Sequence, residues 1–344
     1  MITFLVVGRN DNYGVNLQKR TALSLNFFGS FCREPGDEIV YVDCNSPEAD
    51  VTLVEAIADT LTEKTRARLR SFRISGEVMR EAIGETPLPF SDELARNVGI
   101  RRSNPDNLWL LSTNCDVMIY CYKPGGLHTI LRDLPSGYYA CPRVNIPASQ
   151  WQQLDRTDVS ASSEFAEAAI LRGMRPPPEK QEEWLRFSAV GDFQLAPRKQ
   201  WIEIGGCEEM MKLWGHSDAN NSRRLNLLNG GGRTPDLGSG CLVMHFDHHL
   251  PVSSGNPPPP QNDWREWVEN VTSPLSRNAK NWGLNDRILD IIDIDFEKRS
   301  TSEIFAHAPR PRRLWQTLRT RIIAKFWSGI GQTVNRIEQL TSKH

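Results

Sequence analysis

A chain of 344 residues with 41 Lys plus Arg against 42 Asp plus Glu has no global field to draw it to nucleic acid or an anionic surface, so any charged partner must be met locally. Hydrophobic residues make up 39%, enough for one large core or two modest ones at roughly 100–200 residues per domain. The seven scattered cysteines form no CxxC pair that would hold zinc. No run of about 20 apolar residues offers a membrane span, and Met1 to Gly8 lacks the charged start and cleavage site of a leader, so the expectation is a cytoplasmic protein.

Through residue 145, short β-rich apolar runs alternate with helical patterns, as in an α/β domain built on a mainly parallel sheet. The runs predict strands at Ile2–Gly8, Glu38–Asp43, Arg68–Ile74 and Asn107–Thr113. Apolar residues at three-and-four spacing predict sheet-covering helices over Asn16–Phe28 and Leu53–Leu61, with a third at Asp92–Arg102. Residues 146–190 are more polar and include Pro176–Pro178, which reads as a surface excursion. A second structured part begins at Gly191, passes a turn at Gly230–Gly232 and reaches a strand at Cys241–Phe246.

Beyond it, Pro257–Pro260 reads as a polyproline linker, followed by helical patterns at Trp264–Asn270 and Asn285–Asp295. The last segment sets Arg310, Arg312, Arg313, Arg319, Arg321 and Lys325 beside Trp315, Leu318, Ile322, Phe326 and Ile330, a basic amphipathic helix. Its spacing leaves two destinations open: its own domain or a second copy, and an anionic membrane surface, which would make the protein peripheral on the inner face.

In open α/β sheets ligands sit beyond the carboxyl ends of the strands. Strand one runs into Gly8-Arg9-Asn10-Asp11-Asn12, strand two into Asp43-Cys44-Asn45-Ser46, and the fourth into Thr113-Asn114-Cys115-Asp116. Any one of these is an ordinary polar turn; their order, with Ala95-Arg96-Asn97-Val98-Gly99 preceding the last strand, is what stands out.

That order resembles the nucleotide-sugar-binding half of family-two-type glycosyltransferases of the GT-A fold, where an ARNxG segment precedes a strand and a DxD turn. The resemblance implies that Arg9, Asn10 and Asp43, with Arg96 and Asn114, serve the nucleotide sugar. It implies that Asp116 holds Mn or Mg across the diphosphate, whose departing charge needs a cation with hard oxygen ligands. Asn114 departs from the family's first Asp and leaves the turn one carboxylate short.

Further on, Gly191-Asp192-Phe193, then Gly205-Gly206-Cys207-Glu208-Glu209, then Trp214-Gly215-His216-Ser217-Asp218 are similar to the family's acceptor-side segments. Asp218 falls at the position of the catalytic base that deprotonates the acceptor hydroxyl; read alone, it is the N-cap of the helix that follows. His216-Ser217 departs from the family's pattern, and the spacing from Trp214 through Ser222 to Arg224 also resembles retaining relatives. Trp151, Trp184 and Trp214 are candidate sugar platforms, and Trp282-Gly283-Leu284 is read as structural.

Three of seven histidines fall in Met244-His245-Phe246-Asp247-His248-His249, an unusual density that suits a metal or phosphate. The frame His245-x-x-His248 resembles the HxxH segment that completes the cation site in metal-dependent members. The expectation is thus a GT-A domain over 1–255 with halves meeting near 145, a linker with helices over 256–307, and a terminal helix over 308–344. Its reaction would be inverting sugar transfer from a nucleotide-diphosphate sugar to a glycan or other hydroxyl acceptor, with no role for nucleic acid. The alternatives are a sugar-phosphate nucleotidyltransferase and a catalytically weakened nucleotide-sugar-binding scaffold.

Overall fold

The computed structural model describes residues 1–47, 51–123, 125–176, 182–187, 190–248, 260–289 and 291–296. The strands are β1 (Ile2–Gly8), β2 (Glu38–Cys44), β3 (Leu69–Ile74), β4 (Trp109–Thr113), β5 (Val117–Cys121), β6 (Arg143–Ile146), β7 (Gln194–Pro197) and β8 (Cys241–Phe246). The helices are α1 (Leu17–Phe31), α2 (Leu53–Ala56), α3 (Glu63–Arg66), α4 (Gly76–Ile83), α5 (Asp92–Arg102), α6 (Gly126–Asp133), α7 (Ala148–Trp151), α8 (Val159–Leu171), α9 (Arg198–Glu203) and α10 (Ser217–Leu228). None of the helices described is long and apolar enough to cross a membrane.

The central sheet has the order β3-β2-β1-β4-β7, parallel throughout except for β7 on the edge. This is the α/β class with a mainly parallel sheet that the alternating pattern predicts. Parallel strands covered on both faces are apolar along their whole length, and Ile2, Phe4, Leu5 and Val6 are fully buried. On one face of β1 the Phe4 ring stacks on Phe28 of α1 with centroids 5.2 Å apart. On the other, α5 lies so close that a Cβ on Gly99 would come within 2.1 Å of Leu5 Cδ1. That approach is why the ARNxG segment ends in glycine.

α5 carries its own terminus signals. Ser91 Oγ accepts the Leu94 N–H at 3.2 Å, Asp92 and Glu93 occupy the first turn, and Arg101 and Arg102 close the last.

A second sheet, β5-β8-β6, stands beside the first; β8 pairs antiparallel with β5 and parallel with β6. The Asn114–Asp116 turn carries the chain from β4 of one sheet to β5 of the other. Because Val117 pairs with His245, the register brings the end of β8 to the residue after Asp116. The two sheets exchange material between the chain's halves, with β7 completing the first and β8 the centre of the second.

Several local expectations change. Among the described residues of 146–190 the chain is not a surface excursion: Trp151, Ala166, Ala169, Leu185 and Phe187 are buried, α7 and α8 turning their apolar positions inward. Leu53–Leu61 is not one helix; α2 ends at Ala56 and a 3₁₀ turn follows over Ala58–Thr60. Trp264–Asn270 does form a helical turn, of π type, at Arg265–Glu269. The Asn285–Asp295 pattern does not, and Ile291 instead bridges to Phe72 on β3. All seven cysteines are free and five are buried, as small hydrophobes are. The proline run through residue 259 and the basic segment after 308 lie outside the described residues.

Candidate active site

Three ligand-type side chains converge where the sheets meet. His248 Nε2 lies 3.1 Å and His245 Nε2 3.6 Å from Asp116 Oδ2, and the donor atoms of the three residues all lie within 4.8 Å of one another. Asp116 and His245 are buried and His248 nearly so. Two imidazole nitrogens and one carboxylate oxygen are a donor set that first-row divalent ions accept. The residues therefore fit a cation, provided the rings present lone pairs rather than N–H groups.

A fourth residue, unforeseen in the sequence, shares this centre. Arg20 is fully buried and its Nη1 donates to Asp116 Oδ2 at 2.6 Å. Burial alone would raise the Asp116 carboxyl; hydrogen bonds from His245 and His248, with the charges of His245 and Arg20, override it and hold the group well below the usual carboxylate range. The signal for Arg20 was present: it falls one turn after Leu17 on the apolar stripe of α1, where a charge needs a buried partner.

The centre opens on a cavity of about 740 Å³, lined also by Arg96, Asn114, Asp192, Trp214 and Asp218. Asn114 is fixed at both ends of its amide: Arg96 Nη2 donates to Oδ1 at 2.9 Å, and Nδ2 donates to Asp192 Oδ1 at 2.6 Å. Arg143 Nη1 holds the other oxygen of Asp192 at 2.7 Å. The Arg96 guanidinium is fully engaged, with Nε on Asp92 at 2.7 Å and Nη1 on Ser112 Oγ at 2.6 Å. Next to it, Asn97 pins the Gly205–Glu209 turn, accepting from the Cys207 N–H at 2.6 Å and donating to Glu209 Oε1 at 2.8 Å.

Asp218 lines the same cavity from the first turn of α10. It is not the N-cap; that position falls to His216 at φ 70°, and Asp218 Oδ1 accepts the Ala219 N–H at 2.8 Å. Gly191 packs on it so closely that a Cβ there would lie 3.1 Å from Asp218 Cβ. Burial pushes the Asp218 carboxyl up, the Ala219 hydrogen bond opposes, and the charge of Asp192 adds to the rise. A carboxylate perturbed in that direction in a cleft has the attributes of a base.

The strand-one and strand-two residues are placed differently. Arg9 Nε donates to Asn45 O at 2.7 Å and Nη1 to Asp11 Oδ2 at 3.2 Å, beside a smaller, mostly apolar cavity of about 140 Å³. The Asn10 amide donates to Val51 O at 2.8 Å. Asp43 is fully buried, accepting from Ser46 Oγ at 2.5 Å, and lines neither cavity. Trp151 is buried with its Nε1 on Asp247 O at 2.9 Å and cannot act as a platform; Trp184 is covered by Arg223, whose guanidinium carbon lies 5.2 Å from the ring centroid.

No family model matches the chain, and no curated protein matches it. Solved structures do. S. aureus TarS in complex with UDP-GlcNAc matches at 14% identity over 74% of this chain and 61% of that chain, TM-score 0.42. GalNAc-T7 with UDP, GalNAc and Mn2+ matches at 12% over 73% and 44%, TM-score 0.44. The galactosyltransferase LgtC in complex with donor and acceptor sugar analogs matches at 14% over 58% and 59%, TM-score 0.32. The match thus spans less than two thirds of each of these chains.

Proposed function

We propose that this chain is a metal-dependent glycosyltransferase that moves a sugar from a nucleotide-diphosphate sugar to an acceptor hydroxyl. The observation that carries the reading is the meeting of Asp116, His245 and His248 at a polar cavity that Asp218 also lines. The diphosphate is assigned to Asp116 and the acceptor hydroxyl to Asp218, with the transferred sugar between them.

A divalent cation held by Asp116, His245 and His248 supplies charge neutralisation at the departing diphosphate. The two imidazoles favour Mn over Mg, which prefers oxygen ligands and keeps its waters. Arg96, through Asn114, sets the turn that aims Asp116. The nucleotide base enters the smaller cavity beside Arg9 and Phe90. Asp218 accepts the proton of the acceptor hydroxyl as it attacks the anomeric carbon, inverting its configuration. Trp214, which lines the cavity, offers the acceptor ring an aromatic face.

The weakened-scaffold alternative rests on Asn114 and on the basic amphipathic segment at the C-terminus. The Asn114 amide has a structural task between Arg96 and Asp192, so its departure from Asp is no sign of a lost activity. Hydrolysis of UDP-sugars and GDP-sugars with Mn, measured for the native chain, Asp116→Ala and Asp218→Asn, tests the reading. Each substitution is expected to lower turnover by about 10²-fold or more. Donor binding with turnover that neither substitution alters defeats it.

A further inference from the structure

The resting charge of the centre is unusual for a cation site. Among the described residues the cluster contains a single carboxylate, Asp116, and Arg20 already neutralises it. Arg20 Nη1, His248 Nε2 and His245 Nε2 all address the same oxygen, Oδ2. With neutral imidazoles the group sums to zero and with protonated ones it is positive, so in either state an entering divalent ion finds no net negative charge and meets the full positive charge of a guanidinium.

Arg20 is also held from its other side. Its Nη2 donates to the carbonyls of Tyr13 and Val15, and its buried Nε has no partner. The loop it grips is strained: Asn12, Gly14, Val15 and Asn16 all have φ between 55° and 68°. For β-branched Val15 that conformation is a genuine outlier, which persists only where surrounding contacts impose it. The same loop covers the metal end, since Tyr13 meets the His248 ring edge-on at 5.3 Å and a Cβ on Gly14 would fall 2.3 Å from His248 Nδ1.

We propose that Arg20 is a positioning residue that competes with the cation for Asp116 Oδ2, so that the centre takes up its metal together with a diphosphate rather than before it. The diphosphate brings the negative charge that Arg20 cancels, and its oxygens complete a ligand set that the protein leaves short. Arg20 then keeps the strained loop closed over His248 while the ion is present. This rests on the reading of the site as a diphosphate-and-cation centre.

The test is Mn2+ binding to the full chain, followed by electron paramagnetic resonance with and without UDP and corrected for the Mn–UDP complex in solution. The native chain is expected to bind Mn2+ alone at least about tenfold more weakly than with UDP. Arg20→Gln is expected to tighten binding of Mn2+ alone by about tenfold or more, and Arg20→Lys, which keeps the charge, to change it by less than about threefold. A fall or no change in Arg20→Gln overturns the proposal if circular dichroism shows the variant folded. Equal native affinity with and without UDP overturns it whatever the variant does. A chain that binds Mn2+ in the expected way yet turns over no nucleotide sugar would defeat the proposed activity and leave the role of Arg20 standing.

Discussion

Asn114 donates its amide N–H to Asp192 Oδ1 at 2.6 Å, and the same amide's oxygen accepts from Arg96. Position 114 thus needs a donor toward one neighbour and an acceptor toward the other, and an amide is the side chain that supplies both. An Asp here would set two carboxylates against each other beneath the cavity floor.

Asn114→Asp is therefore expected to destabilise the fold at neutral pH by about 1–3 kcal/mol, the cost of a broken buried hydrogen bond plus like-charge repulsion. The deficit should shrink below the carboxylate range, where one of the pair protonates. Thermal melts at pH 7 and pH 4 measure it; a variant as stable as the native chain at pH 7 contradicts the amide's assigned role.

In the proposed reaction the raised Asp218 carboxyl is expected to set the pH dependence of transfer. A base must be ionised, so kcat/KM should climb with pH through the elevated Asp218 pKa and level off above it. In Asp218→Asn that rising limb should vanish along with most of the rate. A native profile flat from pH 4 to about 8 would remove Asp218 from the proton transfer.

On the proposed reading, losing one imidazole weakens cation binding while leaving the fold intact, since His245 is held by β8 pairing and His248 lies just beyond the strand. His245→Ala and His248→Ala are each expected to weaken Mn2+ binding in the presence of UDP by about tenfold or more. Unchanged affinity in both would place the cation elsewhere.

Glu93 is a buried carboxyl on the cavity wall, pushed up to about 8 by burial first and by the charge of Asp92 second, with a hydrogen bond from Ser217 opposing. The folded chain keeps a proton here that the unfolded chain has released. The associated stability is whole below the ordinary glutamate value and is lost as pH rises through about 8. Glu93→Gln imitates the protonated form, so its melting temperature should match the native chain near pH 5 and exceed it at pH 9 by about 3 °C or more. Parallel curves across that range would mean that Glu93 is ionised in the fold.

Much of this protein was legible before any coordinates. Runs dominated by apolar residues marked β1 and β8 to the residue, because strands covered on both faces admit few polar positions, here Thr3 and His245. Asp92–Arg102 was equally plain from its acidic start and basic end. Short strands such as β5 and β6 were missed, since five residues or fewer carry little periodicity. The buried stretch around α7 and α8 was misread because glutamines on an outer face outweigh a few apolar residues facing inward.

The order of segments along the chain determined the α/β class and put polar residues at the carboxyl ends of the strands, for these follow from local alternation of apolar and polar positions. Only the tertiary structure decided that Arg20 neutralises Asp116, that Asn114 bridges Arg96 to Asp192, and that Asp43 lines neither cavity. Each of those depends on the approach of side chains far apart in sequence. Strand register and helix packing set such distances, and no local pattern encodes them.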